Sequence, residues 1–368
     1  MLANQKISAL QMALLLYSTV LATGFMVLPS FAALHASNDY WMTGLLAGST
    51  GVIAIGLAVS LHTHFPRQTV IEYGRRIVGK AAGTVIGLVY AMILMHLSGV
   101  ILREYAEFVK GNFLFNTPGL FIMISMIGLS ACAVRGGVEV IARGTMLFTP
   151  LFVIPLFILL MLIPDLNPGN MLPVLNHGFR PVLQGSIMPG AWVSEMFLMN
   201  FLLPSLANPE QGRRWGFISL TAIVLSMTYI NFITLFLLNA DAGDKMFPVL
   251  VAFRYISVGG FFENLESLLL AMWVIGSFVK LTVFLYSAVV AFHQSAGLSE
   301  HRYVAMPITL VVLLFAYWDM PSLSRLSGFL SKMVTFEVLV CMIVIPLFLY
   351  TVAKLRGQLK EDKGGLDG

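Results

Sequence analysis

Charge is what this chain lacks most: 11% of its 368 residues are Asp, Glu, Lys or Arg, against 58% hydrophobic. With a mean hydropathy of +0.86, that balance falls outside the range of soluble domains and places the chain in a bilayer. Cysteine is nearly as scarce. The two present, Cys132 and Cys341, lie in separate apolar runs without C-x-x-C spacing, which excludes a disulfide framework and gives no metal site. No Gly-rich phosphate loop, H-E-x-x-H or G-x-S-x-G occurs, so nothing points to an enzyme or a cofactor. Long Lys/Arg runs are also missing, which removes the usual signature of nucleic-acid binding.

What the chain has instead is uncharged length. Runs 7–34, 40–61, 111–134, 144–164 and 215–240 each exceed the roughly 20 residues that cross a bilayer core. Shorter or interrupted spans follow at Ala81 to Val109, Gly185 to Leu206, Leu268 to Phe292, Tyr303 to Trp318 and Thr335 to Ala353. The expectation is an all-α integral membrane protein with ten transmembrane helices. The first span lacks a basic leader and a small-x-small cleavage site, so it is expected to remain as a helix.

Orientation follows from the loop charges. With the N-terminus inside, most of the 22 Lys and Arg fall in inside segments, among them Arg67, Arg75, Arg76, Lys80, Arg135, Arg143, Arg213 and Arg214. Both termini are then expected inside. Two residues do not fit a loop at all: Arg103 and Lys280 fall within spans.

Two spans five apart share a Gly/Pro interruption. The first, Gln11 to Phe31, contains Thr23-Gly24 and Pro29, and the sixth contains Pro189-Gly190 and the lone carboxylate Glu195. Corresponding breaks in two halves of a membrane chain point to a midplane site in an inverted-repeat fold. The division expected is 1–163 for the first five-helix repeat, 164–184 for an outside connecting loop, 185–353 for the second repeat and 354–368 for a polar tail. Helices 1 and 6 are both expected to be broken. Unwinding at Thr23-Gly24 would free backbone amides that can accept a ligand carboxylate. A kinked, close-packed helix is the plainer reading of the same residues.

Intramembrane charges carry function by default. Glu195 can take a cation, an amine or a proton, or can simply pair with Lys280. Lys280, in Phe278-Val279-Lys280, can stand in for a coupling cation, carry a proton, or serve only as that partner. His96 can line the cavity or be a satisfied core histidine. Arg103, Glu104 and Glu107 read as structural or vestibular, at helix-neighbour spacing.

Taken in order along the chain, several short motifs resemble one family. They are Lys6-Ile7-Ser8 with Gln11, Gly24 with Leu28-Pro29, Asn116-Thr117-Pro118, and Arg135-Gly136-Gly137-Val138-Glu139-Val140-Ile141-Ala142-Arg143. Asp165-Leu166-Asn167, Leu172-Pro173-Val174-Leu175, Glu195, Phe262-Glu263-Asn264-Leu265-Glu266-Ser267 ahead of Trp273, and Phe278-Val279-Lys280 continue the series. The chain resembles the spore germination permeases, the polytopic B-type subunits of nutrient germinant receptors in spore-forming bacteria.

The resemblance implies the amino acid, polyamine and organocation transporter superfamily with its ten-helix, 5+5 inverted-repeat leucine-transporter fold. It further implies residence in the spore inner membrane beside an A-type membrane subunit and a C-type lipoprotein subunit, and recognition of a small germinant, often an amino acid. Carried over by position and joined to the residues above, the ligand-binding set is Ala22, Thr23, Gly24, Phe25, His96, Leu97, Val193, Glu195 and Thr282, with Lys280 as ion surrogate or proton carrier. Many relatives have glycine where this chain has Val193, which implies a smaller or differently shaped pocket. Three functions stay open: a germinant sensor, a proton- or cation-coupled amino acid symporter, and a scaffold.

Overall fold

A computed structural model of the chain describes residues 5–256, 265–298, 300–319, 326 and 328–359. The motif residues Phe262-Glu263-Asn264 and most of the polar tail lie outside them. Ten helices are long and apolar enough to cross a membrane: α1 (Ala9–Asp39), α2 (Trp41–His64), α3 (Lys80–Asn112), α4 (Gly119–Gly136), α5 (Val138–Asp165), α6 (Arg180–Ser205), α7 (Pro209–Asp244), α8 (Glu266–Ala296), α9 (His301–Trp318) and α10 (Leu330–Leu355).

Apolar all-round sequences do not say which helix is central, because lipid and protein interior accept the same side chains. Packing decides it. In their most apolar stretches α1 is 94% and α6 89% buried, whereas α5, α9 and α10 are 28%, 33% and 33% buried. The outer helices turn large side chains such as Leu147, Phe157, Leu310 and Phe336 away from the protein, a surface suited to lipid or to a membrane partner.

Each of α1 to α4 packs against the helix five later in sequence, with α3 against α8 and α2 against α7 among the most extensive contacts. Pairing at an interval of five is what two superposable five-helix halves would give.

Local chemistry fixes the ends. Ser8 caps α1 in a reciprocal box, its Oγ accepting from Gln11 N at 3.1 Å while Ser8 N donates to Gln11 Oε1 at 2.8 Å. The residues just before the cap are tied to the end of α6: Ile7 N donates to Ser205 O at 2.9 Å and Ala207 N to Ile7 O at 3.0 Å. The two most buried helices are thus joined by backbone at one membrane face. There, a short helix, Val70–Val78, precedes α3, and Gly79 turns the chain at φ +96°, a region costly to any side chain.

The first helix corrects one expectation. Ala9–Ala36 is a continuous α-helix through Thr23, Gly24 and Pro29, and Gly24 is not among the residues with positive φ. Proline removes a single rung, the one that would reach the Phe25 carbonyl, and a buried helix tolerates that without unwinding. The sixth helix is interrupted beside Pro189-Gly190 and again beyond it. A first α-helical part, Arg180–Gly185, ends at Ser186, where Pro189 has no N–H to offer the Gly185 carbonyl; a second, Ile187–Ser194, tightens to a 3-10 segment at Glu195–Leu198, recovers at Met199–Leu202, and tightens again at Leu203–Ser205. Gly190 also serves a close approach: its carbonyl accepts from Thr50 Oγ1 of α2 at 2.6 Å. In α10, π-helical turns at Leu330–Val334 and Val340–Val344 widen the ladder, and the Cys341 carbonyl accepts from Tyr90 Oη at 2.5 Å.

Gly83 gives a direct test of the packing at the face bearing the N-terminus. A Cβ there would lie 2.4 Å from Arg75 Cα and 2.7 Å from Arg75 N, backbone atoms that cannot rotate away. Gly83→Ala should lower stability by about 1–3 kcal/mol, read as a lower thermal unfolding midpoint in detergent. Gly56→Ala, with open space around its Cβ, should not.

Candidate functional site

Halfway through the bundle, α1, α3, α6, α8 and α10 converge on a small cavity walled by buried residues. It is lined by Thr23, Leu97, Val100, Ile101, Glu104, Trp192, Glu195, Lys280, Phe284, Leu330, Val334 and Val338. Its volume of 10 Å³ matches the room one water needs. A nutrient-sized molecule does not fit this conformation.

Lys280 and Glu195 meet here. The ammonium donates to both carboxylate oxygens at 2.8 Å, and both side chains are 2% exposed. Lys280 Nζ also sits 5.6 Å from the Trp192 ring centre and 5.5 Å from that of Phe284, distances at which a ring face attracts a cation. Two charges separated by 85 residues of sequence thereby lock the tightened turn of α6 to the middle of α8. In so dry a place the pair is held by mutual need: neither ion can be left alone there without a large desolvation cost.

The α1–α6 contact is polar as well. Trp192 Nε1 donates to Thr23 Oγ1 at 2.9 Å, and a Cβ on Gly24 would lie 3.2 Å from Leu28 Cδ1 and 3.6 Å from Trp192 Cδ1. Of the sequence-derived set, Thr23, Leu97, Glu195 and Lys280 therefore surround one cavity.

Six others, Gly24 among them, are not part of its lining. Ala22 is where α1 meets α8, since a Cβ on Gly276 would come within 3.0 Å of Ala22 Cβ. Phe25 packs edge-on against Phe152, ring centres 6.3 Å apart. Val193 points to α2, its Cγ1 2.8 Å from where Gly51 would carry a Cβ, so its bulk shapes the α2–α6 contact and not the cavity wall. Thr282 is buried with an unpartnered hydroxyl and does not line the cavity. His96 sits between Asp319 and Glu337, its ring nitrogens 2.9 Å and 2.8 Å from their carboxylates; it joins α3 to α9 and α10.

Glu104 is the residue that sequence reasoning set aside. It is 2% exposed, lines the cavity, and its Oε1 has no hydrogen-bond partner among the described residues. Its helical phase held the signal: positions 97, 100, 101 and 104 share one face of α3. Arg103 and Glu107 pair with each other at 2.6 Å on a different face.

Access differs on the two sides. Away from the N-terminus, one helical turn beyond Glu104, Phe108 packs on Trp273 and Phe247 with ring centres 4.6 Å and 4.9 Å away, an aromatic plug. On the other side a cavity of 530 Å³ lies among Lys6, Arg67, Phe201, Tyr286, His293 and Arg302.

The model of the family described as "Spore germination protein" matches residues 6–323. The chain belongs to that family. The spore germination protein KB of Bacillus subtilis (strain 168) is 24% identical to it over 337 residues, covering 90% of each chain. Spore germination protein YndE of the same organism is 26% identical over 361 residues, 96% of this chain and 98% of that one. Among solved structures, MHP1, a nucleobase-cation-symport-1 family transporter in a closed conformation with bromovinylhydantoin bound, superposes with TM-score 0.68 at 13% identity, covering 98% of this chain and 83% of that chain. MhsT in complex with L-phenylalanine gives TM-score 0.63 at 14% identity, covering 95% of this chain and 98% of that chain. At such identities the likeness carries the fold: this spore germination protein has the leucine-transporter architecture.

The ion pair makes a testable demand on this family member. Lys280→Met strands a buried carboxylate and should destabilise the protein by roughly 3–5 kcal/mol. Adding Glu195→Leu should recover most of that loss, because two apolar side chains need no partner. Unfolding of both variants by denaturant in detergent measures the difference.

Proposed function

We propose that this protein is the germinant-sensing membrane subunit of a spore nutrient receptor. It binds a small nutrient, an amino acid in the first instance, where α1 and α6 face α3 and α8, and signals to an A-type membrane subunit and a C-type lipoprotein subunit. In this reading the protein lies in the spore inner membrane with both termini inside, and residues 1–163 and 185–353 form the two repeats around the connecting loop 164–184.

One observation carries the reading. In a spore germination family member, a small cavity with a buried Glu195–Lys280 pair lies at the crossing of the two most buried helices. Polar groups at membrane depth are costly, and a structural clasp would not need the unpartnered Glu104 carboxyl beside it. Two proteins of similar fold hold small organic molecules, bromovinylhydantoin and L-phenylalanine, which supports the same use here.

Because the site is closed, a nutrient must bind a more open arrangement. A ligand shifts an equilibrium only by its differential affinity for the two states, so the signal is the departure from this closed arrangement as α1 and α6 make room for the ligand. Lys280 then takes the place of a coupling cation, holding α8 to α6 whether or not ligand is present.

A symporter would use the same parts, with Glu104 as its proton carrier. A thermal-shift screen of amino acids, sugars and nucleosides on purified protein, followed by uptake of each hit into proteoliposomes, separates the two. Saturable stabilisation without uptake is the expected result; accumulation driven by an ion gradient would make the protein a symporter, and no saturable binding would leave only a scaffold. Gly24→Leu should abolish both the stabilisation and the germination response in spores at normal protein level, because its side chain enters the space of Leu28 and Trp192. An unaltered response would place the ligand elsewhere.

A further inference from the structure

The charges that meet in the cavity do not cancel. Lys280 is committed to both oxygens of Glu195, which leaves Glu104 as a second carboxyl with no counter-ion. Its Oε1 has no partner among the described residues and the residue is 2% exposed. The groups around it from each neighbouring helix are Thr23 of α1, Trp192 and Glu195 of α6, Lys280 and Phe284 of α8, and the apolar Leu330, Val334 and Val338 of α10. Thr23 and Trp192 are hydrogen-bonded to one another. On α3 itself, Arg103 is turned to Glu107 and lines a separate cavity with Lys110. Among the described residues of the cavity wall, Lys280 is therefore the sole cation for two carboxyl groups.

An ionised Glu104 would leave a net negative charge in a space that holds about one water, and an isolated charge in such surroundings neutralises rather than persists. We infer that Glu104 holds a proton while the site is closed and exchanges it for the ammonium group of the ligand, so that the site selects primary amines, amino acids or diamines, over sugars and nucleosides. The amine half of this inference rests on the reading of the cavity as the nutrient site; the proton half does not.

The exchange balances. The carboxylic O–H bond breaks with its electron pair left on the Glu104 oxygen, the proton leaves to water, and the ligand's ammonium, already protonated, donates N–H hydrogen bonds to the carboxylate formed. No bond to the ligand is made or broken, and the charge beside Glu104 is conserved, one ammonium standing where one proton stood; a zwitterion's carboxylate or a diamine's second ammonium brings its own charge outside this exchange. A sugar or nucleoside offers no such replacement, so Glu104 would keep its proton and the ligand would gain no ion pair.

Glu104→Gln keeps the shape and neutrality of the protonated side chain, so the variant should fold with unchanged or slightly raised stability. The infrared difference spectrum of wild type minus Glu104→Gln, recorded at neutral pH without added ligand, should show the C=O stretch of a protonated carboxylic acid. Its absence overturns the proton site regardless of any ligand. With the amine hits of a panel containing L-alanine, putrescine, glucose and inosine, weakly buffered solutions should register proton release on binding to wild type and none with the variant. Affinity should weaken by roughly tenfold per unit fall in pH over the range where the proton competes. Saturable binding confined to glucose or inosine, without proton release, would overturn amine selection and leave the nutrient site standing. A protonated band with no binding by any member of the panel would instead count against the nutrient site, and amine selection would fall with it.

Discussion

The structure depends on one constraint, that no charge can stand alone at membrane depth, and on the ion pair that satisfies it. Glu195 and Lys280, each 2% exposed and joined through two contacts of 2.8 Å, connect the point where α6 tightens to the centre of α8. Around that clasp the remaining features fall into place. Trp192 and Phe284 shield the ammonium with ring faces, Trp192 ties α6 to Thr23 of α1, and the α10 side chains close the cavity with apolar atoms. Coulomb attraction is strong here because water is excluded, and water is excluded because the helices it attracts pack closely.

That arrangement suits a device with two states better than a rigid pillar. The plug of Phe108, Trp273 and Phe247 lies one turn from Glu104, while the 530 Å³ cavity on the opposite side approaches Tyr286 and Phe201 of the same bundle. The backbone bridge between Ile7 and the end of α6 makes the two most buried helices move together at that face. The chain belongs to the spore germination family and has the leucine-transporter architecture.

Much of this was legible in the sequence, for physical reasons. Bilayer thickness sets a length that five uncharged runs exceed and five shorter or interrupted spans approach, and an intramembrane Glu or Lys announces itself by cost, so Glu195 and Lys280 stood out. Their partnership was one of several readings because residues 85 apart in sequence meet only through tertiary packing. Glu104 was hidden by its neighbours: between Arg103 and Glu107 it reads as one of a surface group, and only its phase with Leu97 turns it inward. The unbroken α1 was not legible either, since Gly and Pro are tolerated in transmembrane helices and whether they unwind depends on what the freed amides would meet. Likewise Val193 reads as a pocket residue from its nearness to Glu195, yet two positions along a helix is more than half a turn, and it faces Gly51 of α2.

The most direct test of the clasp is a distance. Leu183 of α6 and Leu268 of α8 are both exposed and begin their helices on the same membrane face, so spin labels at the two positions, in a Cys132→Ala background, report α6–α8 separation by pulsed electron paramagnetic resonance. The account expects one narrow distance population in the otherwise unaltered protein and a second, longer population once Lys280→Met removes the ion pair. An identical single population in both would mean that the pair does not hold the two helices together.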